Sequence, residues 1–79
     1  MKVVEFPKVV PQEKLEVRFG AKLRQIRNEK DISQEALADK AGLTRSYIGR
    51  IDRGRINVSL ATLYKLAEAL EISPKELLP

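Results

Sequence analysis

Residues 34–52 read QEALADKAGLTRSYIGRID and contain two short helical patterns separated by a glycine. Before the glycine, Leu37 and Ala41 are four residues apart and therefore fall on the same side of a helix. After it, Ile48 and Ile51 are three residues apart, which is the second spacing that keeps side chains on one helical face. The stretch predicts two short helices that meet through a glycine turn and share a small core.

The second of these helices has an unusual polar side. At 100° per residue, Tyr47, Ile48 and Ile51 fall within a sector of roughly 100°, which predicts the core side. Asp52 lies between the two faces. The opposite sector has no carboxylate and holds Arg45, Ser46, Gly49, Arg50 and Arg53. Solvated helices usually mix both signs of charge, so this face is a candidate for an anionic partner, with Gly49 leaving its middle flat. The alternative is a basic face that is merely solvated.

Composition restricts the remaining possibilities. The chain has 79 residues, enough for one small domain, and contains no cysteine and no histidine. Disulfides, thiolate metal sites and the commonest general base are thereby excluded, so we expect no enzyme, no metal, no cofactor and no small-molecule effector. No apolar run approaches the roughly 20 residues that span a bilayer, so we expect a soluble cytoplasmic protein without a membrane partner.

The positive charge is concentrated in one region. The chain carries a net charge of +4 and has a pI of about 9.6. Residues 44–55 hold four arginines against one aspartate, whereas residues 56–79 hold two lysines against three glutamates. A localised surplus of this kind favours an acidic partner that meets one face of the molecule.

The N-terminal residues differ from the rest of the chain. Residues 1–16, MKVVEFPKVVPQEKLE, contain two short β-branched runs interrupted by Pro7 and Pro11. They predict an arm that is either a strand-like extension or partly disordered. We therefore divide the chain into this arm and a domain at residues 17–79.

Helix starts and stops complete an all-α prediction. An apolar stripe predicts a first helix to about Lys30, ended by Asp31, and it consists of Leu15, Phe19, Leu23 and Ile26. A second stripe predicts a fourth helix and consists of Leu60, Leu63, Leu66, Ala67 and Leu70. The predicted N-caps are Ser33, Thr44, Ser59 and Ser73, and the predicted glycine stops are Gly42 and Gly54. The run SPKE, residues 73–76, has the form of a capping box for a fifth helix.

The spacing within residues 34–52 carries a family resemblance. Counting from Gln34, small Ala38 is fifth, Gly42 is ninth, and the two isoleucines are fifteenth and eighteenth. This pattern resembles the helix-turn-helix of the lambda-repressor and Cro-like family, over about residues 17–78. The run GLTRSYIGRIDRGRINVSLATLYKLAEALEISPKEL is most similar to the controller proteins of restriction-modification systems. The resemblance implies a compact five-helix DNA-binding domain.

The resemblance also implies roles for the basic face. The third helix would lie in the major groove of double-stranded DNA. The expected base contacts are Arg45, Ser46, Gly49 and Arg50. The expected phosphate contacts are Gln34, Thr44, Tyr47, Arg53, Arg55 and Asn57. For Arg50 a phosphate contact is the alternative, and for Tyr47 the alternative is an aromatic ring at the edge of the core.

Arg27 and Asp52 match family positions that form an internal ion pair between the first and third helices. Glutamate is commoner than aspartate at the second position, so the geometry of this pair differs from the usual one. The alternative for Arg27 is another phosphate contact.

The resemblance further implies a sequence-specific transcription regulator that binds a roughly palindromic operator as a homodimer. The expected interface residues are Tyr64, Ile72, Leu77 and Leu78, although Ile72 and Leu77 would serve equally well to complete the core. RNA polymerase is a further partner, for which Glu35 and Asp39 are weak candidates. The alternative function is an antitoxin or protein-interaction module of the same fold, with the N-terminal arm as its binding segment.

Overall fold

The computed structural model of the protein describes residues 14–79. They form α1 (Leu15–Glu29), α2 (Gln34–Ala41), α3 (Arg45–Asp52), α4 (Leu60–Leu70) and a 3₁₀ turn (Pro74–Leu77). No strand occurs in this part of the chain, so the all-α prediction is confirmed for it. None of its helices is long and apolar enough to cross a membrane.

The helices begin and end where local side chains predict. The hydroxyl oxygens of Ser33, Thr44 and Ser59 each accept the N–H three residues later, at 3.0 to 3.1 Å. Asp31 ends the turn after α1 with a φ of 56°, and Gly42 ends α2 with a φ of 69°. The connection from α2 to α3 is consequently short and fixed at both ends.

The core lies between all of these elements. α2 packs on α3 and on α4, and α1 packs on α3. The buried apolar residues are Phe19, Leu23, Leu37, Ala38, Ala41, Ile48, Ile51, Leu63, Leu66, Ala67, Leu70 and Leu77. Because α3 has its packing partners on one side only, its other side remains exposed.

The predicted fifth α-helix is not formed, and a 3₁₀ turn takes its place. Residues Pro74–Leu77 form a single 3₁₀ turn, with main-chain bonds from Glu76 to Ser73 at 3.0 Å and from Leu78 to Lys75 at 3.2 Å. The carboxylate of Glu76 does accept the Ser73 N–H at 2.9 Å, as the capping box predicts. Four residues are too few for a ladder of α-helical bonds, so the capped turn closes with the tighter bonding.

Two leucines, one at the start of α4 and one in the 3₁₀ turn, differ in burial from the first role predicted for each. Leu60, assigned to the core stripe, is 74% exposed because the first residue of α4 extends past the elements that cover the rest of the stripe. Leu77, assigned to a subunit interface, is fully buried because the 3₁₀ turn packs it against α1 and α4. Ile72 is half-buried against the same core. For Leu77 the alternative role, completing the core, is the correct one.

α1 begins at Leu15, the residue at which its predicted apolar stripe starts. The predictions for the rest of the arm fall on residues 1–13, which lie outside the described residues.

Candidate nucleic-acid interface

The exposed face of α3 has the composition that the sequence predicts. Thr44 caps the helix, and the side chains of Arg45, Ser46 and Arg50 are exposed. Ile48 and Ile51 are fully buried on the other side. The solvent-exposed side of the helix therefore carries arginine and hydroxyl groups, while its apolar residues pack against the core.

Gly49 is not part of that open surface, and the prediction of a flat exposed centre is wrong. The residue is buried, because the side chains of Arg53 and Gln34 lie over it. A Cβ atom at this position would stand 3.3 Å from Nη1 of Arg53 and 3.7 Å from Oε1 of Gln34. A base contact by Gly49 would first require these side chains to move.

The carboxylate of Asp52 is turned away from the basic face. Asp52 is only 4% exposed, and its Oδ2 atom lies 2.7 Å from Nη2 of Arg27 on α1. Arg27 is also buried, and its Nη1 donates to the carbonyl oxygen of Ile32 at 3.0 Å. The structure contains the ion pair that the family resemblance implies, with aspartate long enough to make it. The acidic group of α3 is thus neutralised inside the protein instead of facing an anionic partner.

Two further contacts to Asp52 are not predicted from the sequence. Nε2 of Gln34 donates to the same Oδ2 atom at 2.9 Å, and Nη1 of Arg24 donates to the Asp52 main-chain carbonyl at 2.6 Å. The C-terminal end of α3 is therefore fixed to both α1 and α2. The available signal was the spacing of Arg24 and Arg27, which share one face of α1 as cations suited to a helix C-terminus.

The backbones of α1 and α3 also approach each other closely at the C-terminal end of α3. Gly20 is buried on α1, and a Cβ atom there would clash with the main-chain carbonyl of Ile51 and stand 3.0 Å from that of Asp52. Only a glycine permits α1 to approach the end of α3 so closely. The signal in the sequence was a glycine inside an otherwise regular helix.

The residues predicted to contact phosphates surround this face. Arg53, Arg55 and Asn57 are exposed in the connection that follows α3. Tyr47 is half-buried, so its ring contributes to the edge of the core while part of it remains accessible. The amide group of Gln34 has one hydrogen bond to Asp52 and retains a second N–H for a partner.

A second surface, away from α3, is apolar. Tyr64 is 61% exposed and Leu78 is 52% exposed, as expected for residues assigned to an interface. Leu60, four residues before Tyr64 on α4, shares their exposure, and Leu60 and Leu78 both line an apolar groove beside the start of α1. Exposed apolar groups such as these make the surface a candidate for contact with another molecule.

Comparisons with known proteins agree with the geometry. A family model described as Helix-turn-helix matches residues 23–77. Control protein C.BamHI of Bacillus amyloliquefaciens is 51% identical over 61 residues, which cover 76% of this chain and 75% of that protein. Control protein C.MunI of a Mycoplasma species is 44% identical over 64 residues, with 80% and 86% covered.

A solved structure is similar to this one as well. The restriction-modification controller protein C.AhdI from Aeromonas hydrophila matches with a TM-score of 0.77 and 53% sequence identity. The match covers 78% of this chain and 94% of that chain.

Proposed function

We propose a specific role for this chain on the premise that it belongs to the helix-turn-helix family. It is a DNA-binding transcription regulator, and its resemblance to controller proteins is confirmed. The proposal is that it acts as a homodimer on a roughly palindromic operator. Because the relatives are control proteins, we assign the operator to the promoter region of a restriction-modification system.

On the DNA side, α3 is proposed to lie in the major groove with its N-terminal end toward the base edges. Arg45 is the first choice as a reader, because a guanidinium group donates to both N7 and O6 of guanine. Ser46 and Arg50 are the neighbouring exposed groups on the same face. The proposed phosphate contacts around them are Gln34, Thr44, Tyr47, Arg55 and Asn57.

This proposal rests on one observation, which is that α3 has its positive side chains at the protein surface and its negative side chain in the interior. Its arginines are exposed, whereas its carboxylate is buried and paired with Arg27. A face that contacts only water gains nothing from this separation of charges, because an exposed carboxylate is well hydrated. A face that binds a polyanion does gain from the separation, since each carboxylate facing DNA would repel phosphates.

The dimer is proposed to form through the apolar surface around Tyr64, Leu78 and Leu60. One recognition helix covers only a few base pairs, so two copies are needed to select an operator in a genome. A two-fold pair built on this surface would place its two α3 helices about 34 Å apart, in successive major grooves on one side of the DNA.

The experiment is a selection of bound sequences from random duplex DNA, with Arg45→Ala and Lys40→Ala as a matched pair. Each variant loses one positive charge, but Lys40 is exposed beside Glu68 and Glu71, away from the proposed interface. We expect the wild-type protein and Lys40→Ala to select the same two half-sites, and Arg45→Ala to lose its preference at one base pair of each. Wild-type protein that selects no sequence would overturn the proposed function. An unchanged preference in Arg45→Ala would overturn the assignment of the reader alone.

A further inference from the structure

The Arg53 guanidinium lies over α3 itself and not beyond the C-terminal end of the helix. Arg53 is the C-cap of α3, and its Cα lies one turn beyond Gly49. Its Nη1 and Cζ atoms nevertheless stand 3.3 and 4.0 Å from where a Cβ of Gly49 would be. The side chain therefore runs back along the helix toward its N-terminal end, and the guanidinium lies over Gly49.

Gly49 makes this position available because it has no side chain to occupy it. The guanidinium rests against the bare helix backbone, and Arg53 still remains exposed on its outer side. On the helical wheel Gly49 lies between Arg45 and Arg53. The planar group is thus held in the middle of the basic face, at the level of the base readers and not out in the following connection.

The amide of Gln34, on the neighbouring helix, lies near the same point above Gly49. Its amide nitrogen donates to Oδ2 of Asp52 at 2.9 Å, so its amide oxygen is turned toward the space above Gly49. A carbonyl oxygen at that point attracts a guanidinium group. Asp52 in turn is fixed by Arg27 at 2.7 Å. The buried ion pair therefore sets the direction of the amide, and the amide favours the folded-back position of Arg53.

We propose that Arg53 reads a base pair in the major groove, in place of the phosphate contact that its position in the sequence suggests. The assignment rests on the proposed function, in which α3 lies in that groove. A guanidinium presented in the middle of the face meets the acceptor edge of guanine with two parallel donors. Arg53 is then a determinant of sequence specificity, with Gly49 and Gln34 as the residues that position it.

The test compares Arg53→Lys with Arg55→Lys. Both variants keep their positive charge and lose the planar fork, and both positions are exposed in the free protein. We expect Arg53→Lys to lose preference at one base pair per half-site in a selection from random DNA, by roughly 5- to 150-fold. The slope of log affinity against log salt should stay the same, because the number of cations does not change. Arg55→Lys, at a proposed phosphate contact, should weaken binding similarly for all sequences and change the preference at no base pair.

Three results would overturn the inference, and they are distinguishable. If the wild-type protein selects an operator and Arg53→Lys selects the same one unchanged, Arg53 is not a base reader, although the proposed function stands. If the wild-type protein selects no sequence, the proposed function and this inference fail together. Thermal unfolding of each variant verifies that it is folded, and Arg53→Ala provides a second variant. Arg53→Ala must lose preference at the same base pair; if it only lowers the salt slope, by about 0.9 per bound subunit, Arg53 holds a phosphate.

Discussion

Replacement of Gly20 by alanine has two opposite effects on the free energy of unfolding, a gain in helix propensity and a loss from a steric clash. Alanine stabilises the interior of an exposed helix by about 1 kcal/mol relative to glycine. At Gly20, however, the added Cβ would clash with the carbonyl of Ile51 and stand 3.0 Å from the carbonyl oxygen of Asp52. Both neighbours are main-chain atoms, which cannot turn aside as the end of a side chain can, so α1 and α3 must separate.

The cost of that separation follows from what the junction holds. Overpacking of a tight contact costs typically about 1 to 3 kcal/mol. The separation also lengthens the ion pair of Arg27 and Asp52, now 2.7 Å, and the bond from Arg24, now 2.6 Å. Complete loss of a buried pair costs about 3 to 5 kcal/mol, so a partial loss adds about 1 kcal/mol. After the propensity gain of about 1 kcal/mol, we expect a net destabilisation of about 1 to 3 kcal/mol, or a fall in Tm of roughly 4 to 24 °C.

Gly49→Ala is the matched control, since it makes the same exchange inside another helix. The tightest contact of its Cβ would be the far end of the Arg53 side chain at 3.3 Å, which can shift by a few tenths of an ångström, and Oε1 of Gln34 at 3.7 Å is an ordinary contact. We therefore expect Gly49→Ala to raise the free energy of unfolding by up to about 1 kcal/mol. Thermal and urea unfolding, followed by circular dichroism, measure both variants. If Gly20→Ala stabilises the protein as Gly49→Ala does, the close approach of α1 and α3 does not exist in solution.

Four other substitutions test three separate features. Asp52→Ala should lower the free energy of unfolding by about 3 kcal/mol, because it leaves a buried guanidinium unpaired, and should weaken operator binding; tighter binding at unchanged stability would contradict the burial of Asp52. Gly54→Ala should cost about 2 kcal/mol or more in urea unfolding, since Gly54 has a φ of +69° and its Cβ would stand 2.8 Å from Cα of Val17. Gly42→Ala, with the same φ but nothing within 4 Å, should cost only about 1 kcal/mol, and equal losses would argue against the contact with Val17. Leu78→Glu should leave the circular dichroism spectrum nearly unchanged but give monomers in sedimentation and weaker operator binding, because Leu78 is already 52% exposed; a variant that is still dimeric at micromolar concentration would place the interface elsewhere.

Helix ends were predictable because each depends on one side chain acting on nearby backbone. Ser33, Thr44 and Ser59 cap the helices that follow them, as expected. Asp31 takes the left-handed conformation that its place after the first apolar stripe requires. Glu71 takes the same conformation after α4 with a φ of 57°, and nothing in its side chain indicates this. There the surrounding packing, not local chemistry, determines the backbone.

Burial at the ends of elements was less predictable, because periodicity gives the angle of a side chain but not the extent of its neighbours. Leu60 has the angle of a core residue and lies beyond the elements that would cover it. For Leu77 the sequence leaves an interface role and a core role open, and the 3₁₀ turn carries it into the core between α1 and α4. Contacts between distant residues are harder still. The bond from Arg24 to Asp52 joins residues 28 apart and depends on the angle at which α1 crosses α3.

The division of α3 into an inner and an outer set of residues has a consequence for how such a regulator changes over evolutionary time. The residues that hold the helix in place are Ile48, Ile51 and Asp52, and all of them are buried. The residues proposed to read DNA, such as Arg45 and Arg50, are exposed and support no part of the core. Mutations in the second set are therefore nearly neutral for folding. If these residues read DNA as proposed, a few such mutations can change the preferred operator at little cost in stability.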